Sequence, residues 1–363
     1  LLFMYFALAV LEDSGYMARI AYMLDRVFRI FGLHGCSVMP YIVSGGIAGG
    51  CAVPGVMASR TLRSPKEKLA TLITAPFMTC GAKLPVFILL VGVFFPKNQA
   101  QVLFLITLGA WAAALLVARF LRSTVIRGPS TPFVMELPPY RMPTIKGMLI
   151  HTWERTWQYI KKAGTVILVI SILLWAAMTF PTLPDEKMQD FAQQRETINT
   201  ELDQESLSVS SRQELKKELR NLNQEQNKVQ LSYSLAGRIG QSLEPISKLA
   251  GFDWRTNIAL IGGFVAKEVI ISTLGTAYSL GTSSPEPAQS LSKRLASDPQ
   301  WTKLTATSAI IFVLLYAPCF VTIVAIAKEA NSWKWALFSL VFNTALAFLV
   351  AVSVYQIGKS LIA

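Results

Sequence analysis

The stretch GGIAGGCAVPG, residues 45–55, decides how the rest of the chain is interpreted. It lies inside an apolar run, residues 38–58, that has about the 20 residues a membrane span needs. Its five glycines and its proline destabilise a helix, and the proline also removes a backbone donor. Broken backbone is tolerated at membrane depth only where it is buried in protein or lines a polar cavity. We therefore predict a broken or re-entrant segment with Cys51 at the break.

The same combination of helix breakers and a thiol occurs twice more. Cys80 lies in PFMTCGAKLP, residues 76–85, and Cys319 ends the triplet APC, residues 317–319. A single buried cysteine usually behaves as a small hydrophobic residue, but three thiols at three breaks favour a substrate path. Thiolates bind Fe(II), Zn(II) and Cu(I) better than Mg(II) or Ca(II). We therefore predict Cys51, Cys80 and Cys319 as metal ligands.

The composition is that of a membrane protein. Of 363 residues, 52% are hydrophobic and 15% are charged, whereas a soluble domain has about a quarter charged residues. The net charge is +12, and the basic residues flank apolar segments. This placement is typical of positive-inside topology and of contact with anionic lipid headgroups. We therefore do not expect nucleic acid as a partner. Residues 1–11 lack a basic signal-peptide region and resemble the end of a membrane helix, so we expect the chain to be part of a longer protein.

Charge and hydropathy divide the chain into five regions. Membrane regions are predicted at residues 1–121, 163–181 and 231–363. Residues 122–162 are rich in Lys and Arg, which predicts a cytoplasmic loop that ends in an interfacial helix. Residues 182–230 are polar with helically spaced apolar residues, which predicts an external soluble helical hairpin, with partial disorder as the alternative. Lys359 is interpreted as part of a cytoplasmic end.

Two parts of the chain share one pattern of breaks. A glycine-rich break at Cys51 is followed by a proline-flanked break at Cys80, and Gly262 and Gly263 are followed by the break at Cys319. Paired Gly/Pro-interrupted segments in two halves point to the midplane site of a transporter. The predicted fold class is therefore all-α: a polytopic membrane helical bundle with broken or re-entrant helices in two gate-like repeats.

Further candidates for gating or for the wall of the path are acidic, basic or thioether side chains near the breaks or span ends. They are Glu12, Asp13, Met57, Met78, Lys83, Lys267 and Glu268. Charge inside a membrane segment usually faces a cavity or a partner. For Lys83, Lys267 and Glu268 two interpretations therefore remain: a role in gating, or a structural ion pair that fixes helix packing. Glu12 and Asp13 have two interpretations: they gather cations at the mouth of the path, or they form the solvated edge of the membrane. Met57 and Met78 either bind soft metals through their thioethers or only contribute to packing. We find no phosphate-binding loop and no Ser/His/Asp arrangement in the sequence, so nothing in it suggests an enzyme.

Ten short motifs extend along almost the whole chain. They are LEDSGYMAR (11–19), GCAVP (50–54), PFMTCGAKLP (76–85), ELPPY (136–140), HTWER (151–155), AGTVI (163–167), EP (244–245), GFDW (251–254), KE (267–268) and YAPC (316–319). Together they resemble the membrane part of the FeoB ferrous-iron transporters.

The resemblance implies uptake of Fe(II) by a multi-pass permease of the bacterial inner membrane, with Cys51, Cys80 and Cys319 on the pore. It also implies a G-protein domain ahead of the membrane part, which we expect to be missing here, so that GTP would act only through that domain. The expected partners are the lipid bilayer, Fe(II), this N-terminal domain, small accessory proteins and further copies of the chain. No tightly bound cofactor is expected.

Two other functions are compatible with gate-like breaks. One is a secondary transporter of a nucleoside-like or other small organic solute, for which the cysteines would be dispensable. The other is a membrane-bound scaffold or sensor without flux.

Overall fold

The apolar segments fold into helices, and the predicted all-α class is confirmed. The computed structural model describes residues 2–46, 49–62, 64–128, 140, 144–160, 164–202, 209–278 and 287–362. Every regular element in these ranges is helical. Most of the proline-rich part of the predicted cytoplasmic loop, residues 129–139, lies outside them.

The helices fall into three parts of the chain. In the first part they are α1 (Leu2–Asp13), α2 (Tyr16–Ile30), α3 (Val38–Tyr41), α4 (Ala52–Ala58), α5 (Pro65–Thr74), α6 (Leu84–Phe94) and α7 (Gln99–Ser123). In the middle they are α8 (Ile145–Tyr159), α9 (Thr165–Thr179), α10 (Asp185–Leu202) and α11 (Val209–Tyr233). In the last part they are α12 (Leu235–Ser247), α13 (Trp254–Val265), α14 (Val269–Ala277), α15 (Pro287–Ser297), α16 (Lys303–Leu315), α17 (Phe320–Glu329) and α18 (Trp333–Ile362).

The first glycine-rich segment forms a re-entrant hairpin. Helix α3 continues into a π-helical turn, Ile42–Gly46, and the chain returns through α4. A β-carbon at Gly55 of α4 would collide with Ser44 and would approach the Pro40 carbonyl oxygen. The missing side chain of Gly55 thus lets α4 run back alongside α3, and the segment returns to the face from which it came.

The next segment crosses the molecule and is broken midway. Helix α5 begins beside Lys66 and Lys68, the chain breaks at residues 78–83, and α6 ends at Phe94, whose ring stacks on Trp301 with centroids 6.0 Å apart. We name the end with Arg60, Lys66 and Lys68 the basic face, and the end with Phe94 and Trp301 the opposite face. Helix α7 then returns to the basic face, where Lys66 lies against Gly128.

The last part repeats this order of elements in the reverse direction. Helices α13 and α14 form a hairpin whose two ends lie close together. The Arg255 guanidinium, near the start of α13, lies 4.9 Å from the ring centroid of Tyr278, which directly follows α14. This hairpin opens to the opposite face. Helices α16 and α17 cross to the basic face, where the Glu329 carboxylate pairs with Arg60 at 2.6 Å and with Lys68 at 3.4 Å. The two gate-like repeats are therefore confirmed, and they are inverted with respect to each other, as in many transporters.

Helix α18 corrects one sequence-based interpretation. It is a single helix of 30 residues that begins just after Glu329 on the basic face. Near its other end the Gln356 side chain donates to the Leu249 carbonyl at 2.8 Å, on the opposite face. Lys359 and Arg60 thus lie on different faces, so the interpretation that both are cytoplasmic is wrong. A lone lysine does not reveal how often the preceding chain has crossed the molecule.

Among the described residues, three helical segments are long and apolar enough to cross a membrane. They are Gln99–Ser123, Lys303–Glu329 and Trp333–Leu361, and a fourth is counted if the bent pair Tyr16–Ile30 and Gly35–Gly46 forms one span. The bend between the members of that pair is 109°, and it lies between Ile30 and Gly35, before the glycine-rich stretch.

Helices α10 and α11 form a polar pair beside the bundle. They pack on each other, and the base of the pair is closed where the Leu235 N–H donates to the Phe180 carbonyl at 3.0 Å. Leu183 and Leu231 are buried at this base, whereas most described side chains farther out are exposed or half-buried. The stability of the bundle therefore depends on the base of this pair and little on its outer part.

We predict that replacing residues 187–228 by a short Gly/Ser linker leaves the membrane bundle folded. The removed side chains contribute little buried apolar area, and burial of that area is the main stabilising term. Membrane insertion and the thermal midpoint of the deletion variant, compared with the unmodified chain, provide the measurement. Loss of insertion would contradict this prediction.

Candidate functional site

We number the four helix breaks in chain order by the helix that follows each: the first precedes α4, the second α6, the third α14 and the fourth α17. The first and second breaks are joined by backbone hydrogen bonds. The Gly81 N–H donates to the Gly50 carbonyl at 2.8 Å, and the Cys51 N–H donates to the Val43 carbonyl at 3.0 Å. Gly45 has φ of 127°, and a β-carbon there would collide with the Thr79 carbonyl. Glycine is required at this position because the two chain segments touch through their backbones. This contact holds the segments that carry Cys51 and Cys80 side by side.

The first and fourth breaks meet through two short helices. Cys51 directly precedes α4, and Cys319 directly precedes α17. The two helices pack on each other through Val56 of α4 and Ile323 and Ile326 of α17. Both thiols therefore lie directly before helix N-termini, on the side to which the free N–H groups of the two helices point.

The three predicted cysteines form one electrostatic group. The Cys51 thiol interacts with the thiols of Cys319 and Cys80 and with the Glu268 carboxylate, and the Cys319 thiol also interacts with Lys267. All three are half-buried, and the Cys319 sulfur lies 3.1 Å from the Thr322 hydroxyl. Within the described ranges, however, no three His, Cys, Asp or Glu side chains are arranged to hold a metal ion. The arrangement is that of neighbouring ligands along a path and not of a closed metal cage.

Lys83 joins the second break to the fourth. Its side chain is 1% exposed, and its ammonium donates to the carbonyl oxygens of Pro76 at 3.0 Å, Phe77 at 3.3 Å, Met78 at 3.1 Å and Leu314 at 2.8 Å. These carbonyls lie where helical segments end and have lost their intrahelical partners. In broken transporter helices such C-terminal ends coordinate cations, and here the ammonium occupies that position.

Lys267 and Glu268 point to different surroundings. The Lys267 ammonium is buried, donates to the Ala317 carbonyl at 2.8 Å, and lies 2.9 Å from the ring centroid of Tyr316. Glu268 is exposed and directly precedes α14. The two neighbours therefore do not form an ion pair with each other, and Lys267 links the third break to the fourth.

The remaining sequence candidates lie in different environments. Met78 is buried in the main hydrophobic core, and Met57 is half-buried in α4. Asp13 is exposed at the end of α1, and the Glu12 side chain lies outside the described part of the structure. The structure therefore places Lys83, Lys267 and Glu268 with the thiols, whereas Met78 is part of the packing.

Sequence reasoning missed three hydroxyl groups near the breaks. Those of Ser44, Thr79 and Tyr316 are buried and have no hydrogen-bond partner in the described ranges. Tyr316 begins the YAPC motif, and its position directly before a break was the one sequence signal for it. A buried polar group without a partner is unusual and requires an explanation.

Comparison with known proteins finds two family models along the chain. The model described as "Nucleoside recognition", named Gate, matches residues 1–94 and 160–333. The model described as "Ferrous iron transport protein B C terminus" matches residues 103–155. No solved structure matches the chain significantly.

Curated relatives match nearly the whole chain. A protein of Porphyromonas gingivalis named "Fe(2+) transport protein A/Fe(2+) transporter FeoB fusion protein" is 37% identical over 99% of this chain and 42% of its own length. Proteins named "Fe(2+) transporter FeoB" from Helicobacter pylori and Campylobacter jejuni are each 36% identical, over 95% and 100% of this chain and over 52% and 53% of their own lengths. The chain thus spans about half the length of the curated relatives it matches.

We predict that Lys83→Met destabilises the protein strongly. The methionine keeps the apolar stem but leaves the carbonyls around Lys83 without a donor, and each buried group left unsatisfied costs about 1–3 kcal/mol. Thermal unfolding in detergent measures the effect. Lys97→Met is the control because Lys97 is exposed. Equal midpoints for the two variants would show that the ammonium does not hold the breaks together.

Proposed function

Because the chain belongs to the FeoB family, in the part that the two family models describe, we propose that it is the permease module for uptake of Fe(II) across the bacterial inner membrane. The observation that carries the proposal is the convergence of Cys51, Cys80 and Cys319 from three helix breaks. The names of the curated relatives support Fe(II) as the transported ion. These names do not favour the alternative of an organic solute.

The thiols act as successive ligands for the ion. Fe(II) is a borderline ion that accepts thiolate ligands, and a thiol that coordinates a metal ion loses its proton on binding. Conduction requires binding that is strong enough for capture and weak enough for release, often at several sites. Neighbouring thiols without a closed cage suit this requirement.

The charged residues divide into two roles. Lys83 and Lys267 hold the free carbonyls of the breaks. Glu268 interacts with Cys51 and is exposed, so its carboxylate supplies an oxygen ligand beside the thiols. Glu12 and Asp13, at the end of α1, gather cations farther out.

The module works as part of a longer protein. We assign the GTP dependence of the family to its N-terminal G-protein domain, to which the basic face is turned. The buried Glu329 carboxylate holds Arg60 and Lys68 at this face. A movement of the N-terminal domain would therefore reach α17, the helix that begins after Cys319.

We predict that Ser substitutions at Cys51, Cys80 and Cys319 each reduce Fe(II) uptake, since a hydroxyl is a poorer ligand than a thiolate for a borderline ion. Uptake is measured with the full-length transporter in liposomes under anaerobic conditions. Cys36→Ser is the matched control: Cys36 is also half-buried, and it lies in the turn before α3 and not directly beside a helix break. Unchanged uptake in all three variants would exclude a thiol path.

We predict a cytoplasmic basic face, because Lys and Arg are retained on the cytoplasmic side. In a background with the native cysteines replaced by Ser, single Lys66→Cys and Ser360→Cys variants report the two faces. A membrane-impermeant maleimide added outside should label Ser360→Cys at once and Lys66→Cys only after permeabilisation. The reverse pattern would contradict the proposed orientation.

A further inference from the structure

The Tyr316 ring is fixed between two groups. Phe312 stacks on it with ring centroids 5.2 Å apart, and the Lys267 ammonium lies 2.9 Å from the centroid of the Tyr316 ring. The side chain is 5% exposed, and the hydroxyl has no hydrogen-bond partner within the described residues. The ring is thus held in place, while its polar atom is left free to bind.

The hydroxyl of Tyr316 lies among the breaks. It interacts electrostatically with the thiols of Cys319 and Cys80. A β-carbon at Gly263 would lie 2.5 Å from the hydroxyl oxygen, so the glycine in α13 leaves the room that the hydroxyl occupies. The Tyr316 hydroxyl therefore lies beside α13, and the hydrogen bond from Lys83 to the Leu314 carbonyl holds the segment that carries Cys80 next to that of Tyr316 and Cys319.

The cost of burial indicates what the hydroxyl binds. A polar group removed from water without a partner is unfavourable, and a passing cation or one of its waters would supply that partner. The thiols need a further ligand as well, since no group of three His, Cys, Asp or Glu in the described ranges could hold a metal ion. A tyrosine oxygen is outside that set of residue types and meets both needs.

We infer that the Tyr316 hydroxyl supplies an oxygen to the ion as it passes Cys80 and Cys319, and that this oxygen favours Fe(II) over ions that prefer thiolates alone. The inference rests on the proposed function. Sites built only from thiolate ligands suit soft or borderline ions such as Zn(II) and Cu(I), whereas oxygen ligands suit harder ions such as Mn(II). Tyr316 is therefore a specificity-determining residue.

Tyr316→Phe tests this inference because it removes only the oxygen. In liposomes containing the full-length transporter, the ratio of Fe(II) to Zn(II) uptake should fall at least about tenfold, the smaller loss expected when a metal site loses a supporting group. Tyr41→Phe is the control, since Tyr41 is also buried but its hydroxyl is paired with Thr74 at 2.5 Å. It should lower the thermal midpoint and leave the uptake ratio unchanged.

The outcomes separate the two proposals. If the unmodified transporter moves Fe(II) and Tyr316→Phe has the same uptake ratio, the role of Tyr316 is overturned while the iron permease stands. If the unmodified transporter moves no Fe(II), the proposed function itself fails. A purely structural Tyr316 predicts a lower thermal midpoint in Tyr316→Phe, whereas removal of an unpaired hydroxyl should leave the metal-free midpoint equal or higher.

A second variant keeps the test decisive if Tyr316→Phe does not accumulate. Tyr316→His replaces the oxygen by a ring nitrogen, a donor that suits Zn(II). The ratio of Fe(II) to Zn(II) uptake should again fall, and an unchanged ratio in this variant would also overturn the inference.

Discussion

The structure depends on one constraint: each backbone group freed by a helix break must find a new partner within apolar surroundings. The Lys83 ammonium is the new partner for four such carbonyls. One of them, the carbonyl of Leu314, belongs to the other repeat. Lys267 does the same for Ala317. Because unpaired groups in lipid cost several kcal/mol each, breaks that share donors are far more stable together than apart. The path therefore lies where the repeats satisfy each other's backbone.

This constraint also positions the thiols. At a break one helix ends in free carbonyls and the next begins with free N–H groups. The lysines pair with the carbonyl ends, and Cys51 and Cys319 lie at the N–H ends. Lysine ammonium groups and cysteine thiols thus occupy opposite ends of the broken helices. A cation that reaches the centre meets the sulfur atoms, while the ammonium groups are already bound by carbonyl oxygens.

The sequence predicts the breaks at Cys51, Cys80 and Cys319, but Gly262 and Gly263 lie inside α13, and the break follows at residues 266–268. The sequence reveals few of the partners of these breaks. Glycine and proline act locally, so the break at Cys51 and the all-α class follow from composition and spacing. The direction of each repeat does not, because it depends on how often the chain crosses the molecule, and this is why Lys359 was assigned to the wrong face. The partners of Lys83 lie up to 231 residues away, and no pattern in one sequence indicates such a pairing. Tyr316 was missed for a similar reason, since its role depends on Gly263 and Lys267 in another segment.

The inverted repeats place different chemistry at equivalent positions. The returning helix of the first hairpin is preceded by Cys51 and that of the second by Glu268. In the crossing segments the equivalent positions hold Lys83 and Cys319. Under the proposed function, the hairpin from the opposite face thus offers an oxygen ligand and the hairpin from the basic face offers sulfur. Oxygen ligands suit harder ions and sulfur suits softer ones, so a borderline ion such as Fe(II) can use both hairpins.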